Sequence, residues 1–319
     1  MKITKFTTTL IGAAALSVAA TGAALAADLT MGTTSPTSSH FTISVAMSKA
    51  LEKGMSGTNV TVIETGASVD NVLRLSREEI DLGLATTNVL LAARNGTGKF
   101  DGHPVPDTVA LYPYSSSVLL VAVRADSGVE SLEDLAGKKF APGIRGSSAE
   151  GLISKTLEMF EIDADLVYGT VGDAVEGIKN RQLVGYGKYG AGTSVDSTLQ
   201  ELMTSTDMRL IGYSQEQADK VSAAVEGIGF TTLKAGMIPG SEAVLVPKSN
   251  VFFLTRTGVM DDDRAYNVSK SIHENMEILV DAWPQLKGYD IAADAMATIN
   301  AGVPFHPGAA RYWKEATGN

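Results

Sequence analysis

Hydroxyl side chains are concentrated near the start of the chain, in the segment MGTTSPTSSHF at residues 31–41. Serine and threonine hydroxyls donate and accept hydrogen bonds, so they suit a ligand site, and one of them can also cap the start of a helix. A cap needs a single hydroxyl, which we place at Ser38 or Ser39, whereas the segment holds six. We therefore predict ligand contacts from Ser35, Thr37, Ser38, Ser39 and His40.

Four further loops of small or polar residues (TGAS, TTN, PGIRGSS and GAGTS) also lie between a β-rich run and an amphipathic pattern. The first turn of a helix leaves backbone N–H groups unpaired and carries partial positive charge, which favours an anion. Helix capping alone explains any one of these loops, but the set of five favours a shared ligand site. The predicted contacts in the four loops are Ser68, Thr86, Thr87, Ser147, Ser148, Gly190 and Ala191.

A cation and two aromatic side chains complete the candidate site. Arg145, in the PGIRGSS loop, is placed to clamp a carboxylate or sulfonate with two hydrogen bonds. A solvent-exposed arginine is the equally weighted alternative. Tyr114 or Tyr189 is predicted to cover the bound ligand.

Residue patterns for catalysis and cofactors are missing from the sequence. There is no cysteine, and the four histidines, His40, His103, His273 and His306, are widely spaced, without H-E-x-x-H, a Walker A motif or a nucleophile elbow. The G-x-G-x-x-G match at residues 185–190 coincides with a predicted strand, so we interpret it as close packing and not as a dinucleotide site. We expect a binding protein, not an enzyme, with no metal or cofactor.

Composition and the first residues predict an exported protein. Lys2 and Lys5 precede an apolar run at residues 10–20 and an A-x-A pattern at residues 24–26, which together indicate a signal peptide at residues 1–26, cleaved near Ala26. Loss of its two lysines changes the formal net charge from −10 to −12. Such a charge argues against nucleic acid as a partner. We expect a periplasmic monomer that does not insert into the membrane when mature.

The elements that must position these loops alternate between strand and helix, which predicts an α/β fold with mainly parallel sheets. Two long β-rich segments, at residues 118–124 and 243–255, look like crossings between two lobes. We predict lobe 1 from residues 27–123 plus 246–319, lobe 2 from residues 124–245, and a ligand cleft at the hinge between them. Two sequential domains would leave the helical C-terminal region without a sheet to cover.

Three stretches resemble the TAXI family of solute receptors of tripartite ATP-independent periplasmic (TRAP) transporters. VTVIETGASVDNVLRLSREEIDLGLATTNVLLAARNG is similar to its strand–TGGSVENL helix, and VPFHPGAARYWKE to its C-terminal P-x-H-P-G-A-x-R-Y-Y. LYPYSSSVLLVAVRADSGVESLEDLAGKKFAPGIRGSSAE is similar to its Tyr-Pro stretch, hinge strand and glycine-serine loop. The resemblance implies a two-lobe binding-protein fold (type II-like), closure on a solute in the cleft, and delivery to the TRAP membrane permease subunits.

Departures from the family pattern fall in the candidate ligand loops. Residues 33–42 read TTSPTSSHFT where the family has a glycine-rich TGGTGGTYYP, Thr86 replaces a common glutamine, and Arg145 replaces a proline or small residue. We therefore expect a small organic anion, such as a carboxylate, dicarboxylate or keto acid. A glutamate-like amino acid, its ammonium held by Glu64 or Asp70, is the alternative ligand. A sensor domain is the alternative role.

Overall fold

The computed structural model describes residues 28–192, 195–239 and 241–318, so the predicted signal peptide lies outside the described residues. The chain begins with three strand–helix units and a long strand: β1 (Leu29–Gly32), α1 (Ser39–Gly54), β2 (Val60–Ile63), α2 (Ser68–Ser76), β3 (Leu82–Thr86), α3 (Thr87–Asn95) and β4 (Thr108–Arg124). Each of the three predicted units is confirmed. Helix α1 begins at Ser39 because the Ser38 hydroxyl accepts the backbone N–H of His40, so the predicted cap is Ser38.

The middle of the chain repeats the strand–helix alternation, and the end is helical. The middle elements are β5 (Lys139–Ala141), α4 (Ser148–Met159), β6 (Asp165–Leu166), α5 (Val171–Lys179), β7 (Gly185–Gly190), α6 (Ser197–Met203), β8 (Met208–Ile211), α7 (Gln215–Ala224) and β9 (Gly229–Leu233). After β10 (Val244–Arg256) come α8 (Asp262–Glu274), α9 (Met276–Ala282), α10 (Ile291–Asn300) and α11 (Pro307–Thr317). No helix among the described residues is long and apolar enough to cross a membrane.

The strands form one curved sheet in the order β2-β1-β3-β10-β4-β7-β5-β6, with β8 beside β4 and β9 beside β10. Strands β1 to β3 are parallel, and so are β5 to β7, while β10 and β4 join the two groups through antiparallel pairing. The second crossing is one continuous strand, because its polar residues Lys248, Ser249 and Asn250 pair with residues 116–118 of β4.

Four apolar clusters divide the molecule at these two crossing strands. Two clusters hold residues from 29–114 and 251–313, together with Ala191, and the other two hold residues from 118–246. We call described residues 28–116 and 250–318 lobe 1, and described residues 117–249 lobe 2. The C-terminal helices cover lobe 1, where Trp313 is fully buried and donates to the carbonyl of Leu111 at 2.8 Å. The sequence-based lobe boundaries stay a prediction.

The glycines of β7 explain the false dinucleotide motif. A Cβ atom at Gly185 would collide with the carbonyl oxygen of Ala122 on β4, and one at Gly187 would collide with Ile153 of α4. The pattern therefore reflects close packing of a central strand, as predicted.

Candidate ligand-binding cleft

A cleft lies between the lobes where strands of both parallel groups end. Its walls include the segments that follow β1, β2, β5 and β6, the end of β3, and residues 186–189 near the end of β7. It encloses about 910 Å³ of space including the solvent at its mouth. Ligands of open α/β sheets bind at such carboxyl ends.

Seven of the predicted ligand residues line this cleft, and they come from both lobes. They are Ser38, His40, Ser68, Thr86, Ser147, Ser148 and Tyr189. The cleft therefore brings together side chains that are up to 151 positions apart in the sequence.

The other eight predicted residues, Ser35, Thr37, Ser39, Thr87, Tyr114, Arg145, Gly190 and Ala191, are not part of the lining. The hydroxyls of Ser35 and Thr37 lie 3.2 Å apart, and Ser39 contacts the hydroxyl of Ser197 at 3.5 Å. Thr87 donates to the Asn250 carbonyl at 3.3 Å. The hydroxyls of Ser35, Thr37 and Ser39 in the hydroxyl-rich loop therefore make contacts within the protein and not with the cleft.

The glycine–alanine pair and one of the two acidic candidates also have structural contacts. Gly190 pairs with Val118 in the sheet, and Ala191 is buried against lobe 1. Asp70 accepts from Gly66 N and Arg74 Nε at 2.9 Å each, and Glu64 is exposed. Neither carboxylate lines the cleft.

Arg145 lies outside the lining, at the rim of the cleft. Its side chain is exposed, and its guanidinium carbon is 5.3 Å from the ring centroid of Tyr168, which does line the cleft. The guanidinium is therefore placed to attract an approaching anion, whereas the predicted clamp inside the site is not formed in this structure.

His40 is a neutral hydrogen-bond donor in the wall. Burial, with a smaller effect from Lys188, lowers its pKa to about 3. Its Nδ1 lies 2.6 Å from the hydroxyl of Tyr114, whose pKa burial raises well above the usual value. The Tyr114 proton has no other acceptor among the described residues, so Tyr114 donates to Nδ1 and the imidazole proton is on Nε2. Tyr114 thus orients the imidazole of His40, and it does not cover the ligand site as predicted, because it does not line the cleft.

The buried cation of the cleft is Lys188, which the sequence did not single out. Its ammonium contacts the carboxylate of Asp196, the N-cap of α6, and is 3.4 Å from Ser38 Oγ. The two charged side chains are 12% and 2% exposed. Burial lowers the pKa of Lys188 to about 7, and the adjacent carboxylate favours the charged form. The third ammonium proton has no acceptor among the described residues.

Two buried hydroxyls in the wall lack a partner among the described residues, namely Thr86 Oγ1 and Tyr189 OH. Ser148 lies near Tyr189 and lowers its otherwise raised pKa slightly, but Ser148 Oγ is directed to Asn88 at 3.2 Å and no hydrogen bond forms between them. Buried polar groups without partners are uncommon and are costly. A ligand oxygen that reached Thr86 or Tyr189 would remove this cost.

The lobes also touch beside the cleft through backbone atoms. The carbonyl oxygen of Gly146 in lobe 2 accepts the N–H groups of Val69 and Asp70 at 2.8 and 3.1 Å. These are first-turn groups of α2, which has no side-chain cap. The N–H of Gly146 in turn donates to Glu150 Oε2 at 2.6 Å. Lobe 2 therefore supplies the missing cap of a lobe 1 helix, and we call this arrangement, in which the lobes are in contact, the closed form.

Lobe 2 supplies a mainly apolar wall. Ala141, Val171, Ala174, Leu183 and Tyr186 line the cleft and belong to one apolar cluster of lobe 2. The segment after β6, residues 167–170, also lines it. Sequence inspection missed this loop because β6 has two residues and no hydrophobic pattern of its own.

Together the strands and the cleft define a fold class, the two-lobe α/β fold of periplasmic binding proteins, and the predicted fold class is confirmed. Solved structures with this fold include the substrate-binding protein of an amino acid ABC transporter (TM-score 0.51, 15% identity, 81% of this chain and 99% of that chain). The ligand-binding core of GluR0 from Nostoc punctiforme, in complex with L-glutamate, gives a TM-score of 0.50 at 14% identity over 80% and 98% of the chains. A Bordetella bronchiseptica protein gives 0.52 at 14% identity over 88% and 83%. Within this class the chain belongs to the NMT1-like family, which matches residues 31–317.

Proposed function

We propose that the protein is an exported receptor that binds a small organic anion in the cleft and delivers it to a membrane permease. The observation that carries this proposal is the donor set in a closed interlobe cleft. Lys188, His40 and Thr86 line the same cleft, and the buried hydroxyl of Thr86 has no partner among the described residues. Closure around a ligand, without chemistry, is the event that such a receptor signals.

The transporter type is proposed from the sequence. The stretches similar to TAXI receptors support a TRAP permease as the partner, and residues 1–26 support export to the periplasm. Neighbouring genes test the role: a multi-spanning permease gene favours transport, and a histidine kinase gene favours sensing.

An anion fits this cleft better than an amino acid does. An ammonium group needs a carboxylate, and the two predicted ones, Glu64 and Asp70, do not line the wall. The one acidic side chain among the described lining residues is Asp173, whose carboxylate accepts from both the N–H and the hydroxyl of Thr170 at 2.8 Å. The donors of His40, Lys188 and Thr86 suit a carboxylate or sulfonate.

The test is a binding screen of the chain from Ala27 onwards. Butanoate, pyruvate, succinate, methanesulfonate and L-glutamate are added in thermal melts, and positive compounds are measured by calorimetry. A ligand that binds the folded state raises the melting temperature. If none of the anions changes the melt and none is bound in calorimetry, the proposed function is wrong.

Two isosteric variants assign the role of Thr86. Thr86 and Thr108 both carry a buried hydroxyl without a partner among the described residues, but only Thr86 lines the cleft. Thr86→Val is expected to weaken anion binding about ten- to hundredfold, the effect of one hydrogen bond to a charged group. Thr108→Val is the control and should leave affinity unchanged. Equal affinities of Thr86→Val and wild type would remove Thr86 from the site.

A further inference from the structure

We infer that the bound anion carries one charged group and an apolar body, and that this body enters the core of lobe 2. The inference rests on the proposed function, that the cleft binds a small anion, and it specifies the chemical class. It follows from how polar and apolar groups are divided between the two walls.

The lobe 1 wall is mainly polar. Five of its eight lining residues, Thr34, Ser38, His40, Ser68 and Thr86, offer a hydroxyl or an imidazole. Lys188 of lobe 2 reaches the same region, because its ammonium lies 3.4 Å from Ser38 Oγ. The charged head group of a ligand therefore belongs on this side.

The lobe 2 wall borders an apolar core, and we call the part of the cleft beside that core the hollow. Ala141, Val171, Ala174, Leu183 and Tyr186 border this hollow, all five are buried, and all five belong to the same apolar cluster. A polar group in such a place would lose its hydration without gaining partners, which is costly. An alkyl chain or an aromatic ring would instead remove apolar surface from water.

The charges of the wall favour one negative group over two. Lys188 is the only lysine or arginine among the described lining residues, and its charge is already balanced by Asp196. Hydrogen bonds from Thr170 lower the pKa of Asp173, so that carboxylate is ionised at neutral pH. A second anionic group would therefore have no counter-charge among the described lining residues.

The mouth of the cleft is also apolar. Val167 and Tyr168 are the exposed large hydrophobic residues of the described chain, at 37% and 40% exposure, and both line the cleft. Here they provide an apolar entrance below the guanidinium of Arg145, which matches a solute with an anionic and an apolar end.

A homologous series of ligands tests the inference. We expect calorimetric affinities to rise from acetate through butanoate to hexanoate by about fourfold per added methylene, as burial of CH₂ groups predicts, and to level off when the hollow is full. Hexanol and hexylamine, which lack the anion, should bind at least tenfold more weakly than hexanoate. Hexanesulfonate should bind if the head-group contacts are shared.

Different results would contradict this inference and the proposed receptor function. If succinate or glutamate binds more tightly than hexanoate and affinity does not rise with chain length, the apolar body is wrong while the receptor function stands. If no anion of either kind binds, the proposed function itself is wrong.

Two substitutions on α5 locate the apolar body. Ala174 borders the hollow, whereas its neighbour Val175 is buried in the same cluster without lining the cleft. Ala174→Leu should weaken hexanoate at least tenfold and acetate much less, because it fills space that only the longer chain uses. Val175→Leu enlarges a core side chain that does not line the cleft and should keep the chain-length profile. Identical profiles for Ala174→Leu and wild type would overturn the assignment.

Discussion

At the scale of single residues, the buried imidazole of His40 makes stability depend on pH. Its pKa is about 3 in the folded protein and 6.5 in an unfolded chain. Between these values the unfolded chain binds a proton that the folded protein does not, so the unfolding free energy falls as pH decreases below 6.5. Its contribution is fully present above that pH, and the loss is at most about 1.4 kcal/mol per pH unit.

Replacement of this histidine removes the proton-linked loss. His40→Gln should make the decline in unfolding free energy between pH 6.5 and 4 shallower by about 1 kcal/mol per pH unit, as measured by urea denaturation. Exposed His103 provides the control, because His103→Gln should keep the wild-type slope. Equal slopes for His40→Gln and wild type would mean that His40 is not the buried neutral group described above.

The buried pair of Lys188 and Asp196 should be strongly coupled. Lys188→Met leaves a carboxylate that is 2% exposed without its cation, and Asp196→Asn leaves a buried ammonium without its anion. Each change is expected to lower the unfolding free energy by about 3–5 kcal/mol, and the double variant by much less than the sum. Additive losses would contradict this coupling. The exposed pair Lys220 and Glu216 should show a coupling of about 0.5 kcal/mol or less.

Sequence reasoning found the loop residues of the site but not its ion pair. Ser147 and Ser68 were predictable, because small hydroxyl residues before a helical pattern indicate a strand-to-helix loop. Lys188 lies inside a strand and Asp196 lies at the start of a seven-residue helix, and their pairing depends on how the chain turns between them. No spacing rule predicts this contact. Arg145 was the cation of the expected loop, yet the fold directs it to the rim.

At the scale of secondary-structure elements, Gly66 should control closure. A Cβ atom on Gly66 would collide with the carbonyl oxygen of Arg145 in the opposite lobe, and its φ is outside the left-handed region. Gly66→Ala should therefore weaken ligand binding at least tenfold, because it opposes the closed form, with little change in the unfolding free energy. Calorimetry and urea denaturation measure the two effects.

A second glycine serves as the control for this prediction. Gly151 lies in α4, and nothing is within 4 Å of a Cβ atom placed there. Gly151→Ala should keep the affinity and raise the helix stability by about 1 kcal/mol. If Gly66→Ala binds as tightly as wild type, the approach of the lobes at this point is not required for binding.

The predicted elements show where local patterns are sufficient. Strand–loop–helix units with amphipathic helices, such as β2 and α2, were predictable because local periodicity determines them. Strands β6, β8 and β9 were not, since each has five residues or fewer and forms through its pairing with another strand, β5, β4 and β10 respectively. The continuity of β10 across Lys248 and Asn250 likewise depends on its partner β4, which satisfies the polar middle of the strand.

At the scale of the whole molecule, the expected mature net charge of −12 opposes an anionic ligand during approach. Exposed Arg145 lies at the rim and attracts the anion locally. Arg145→Ala should slow association of hexanoate about twofold at low salt, with the difference disappearing at high salt as the charges are screened. Stopped-flow measurements at two ionic strengths test this.

The matching control changes the same charge elsewhere on lobe 2. Arg209 is exposed and pairs with Glu130. Arg209→Ala has an equal effect on net charge, so it should alter the association rate far less than Arg145→Ala. If both variants change the rate equally, the position of Arg145 has no special influence. If Arg145→Ala instead lowers affinity a hundredfold at all salt concentrations, it clamps the ligand directly.

The bond from Gly146 to α2 also affects how receptors of this kind can evolve. Its acceptor is a main-chain oxygen, so it does not depend on the identity of any side chain that faces the solute. Substitutions at Thr86, Tyr189 or Ala174 can change which solute is selected while the lobes still meet through the same backbone contact. Solute recognition by the side chains and closure of the lobes can therefore change independently of each other. A lineage can acquire a new solute by few mutations without first losing the backbone contact between the lobes.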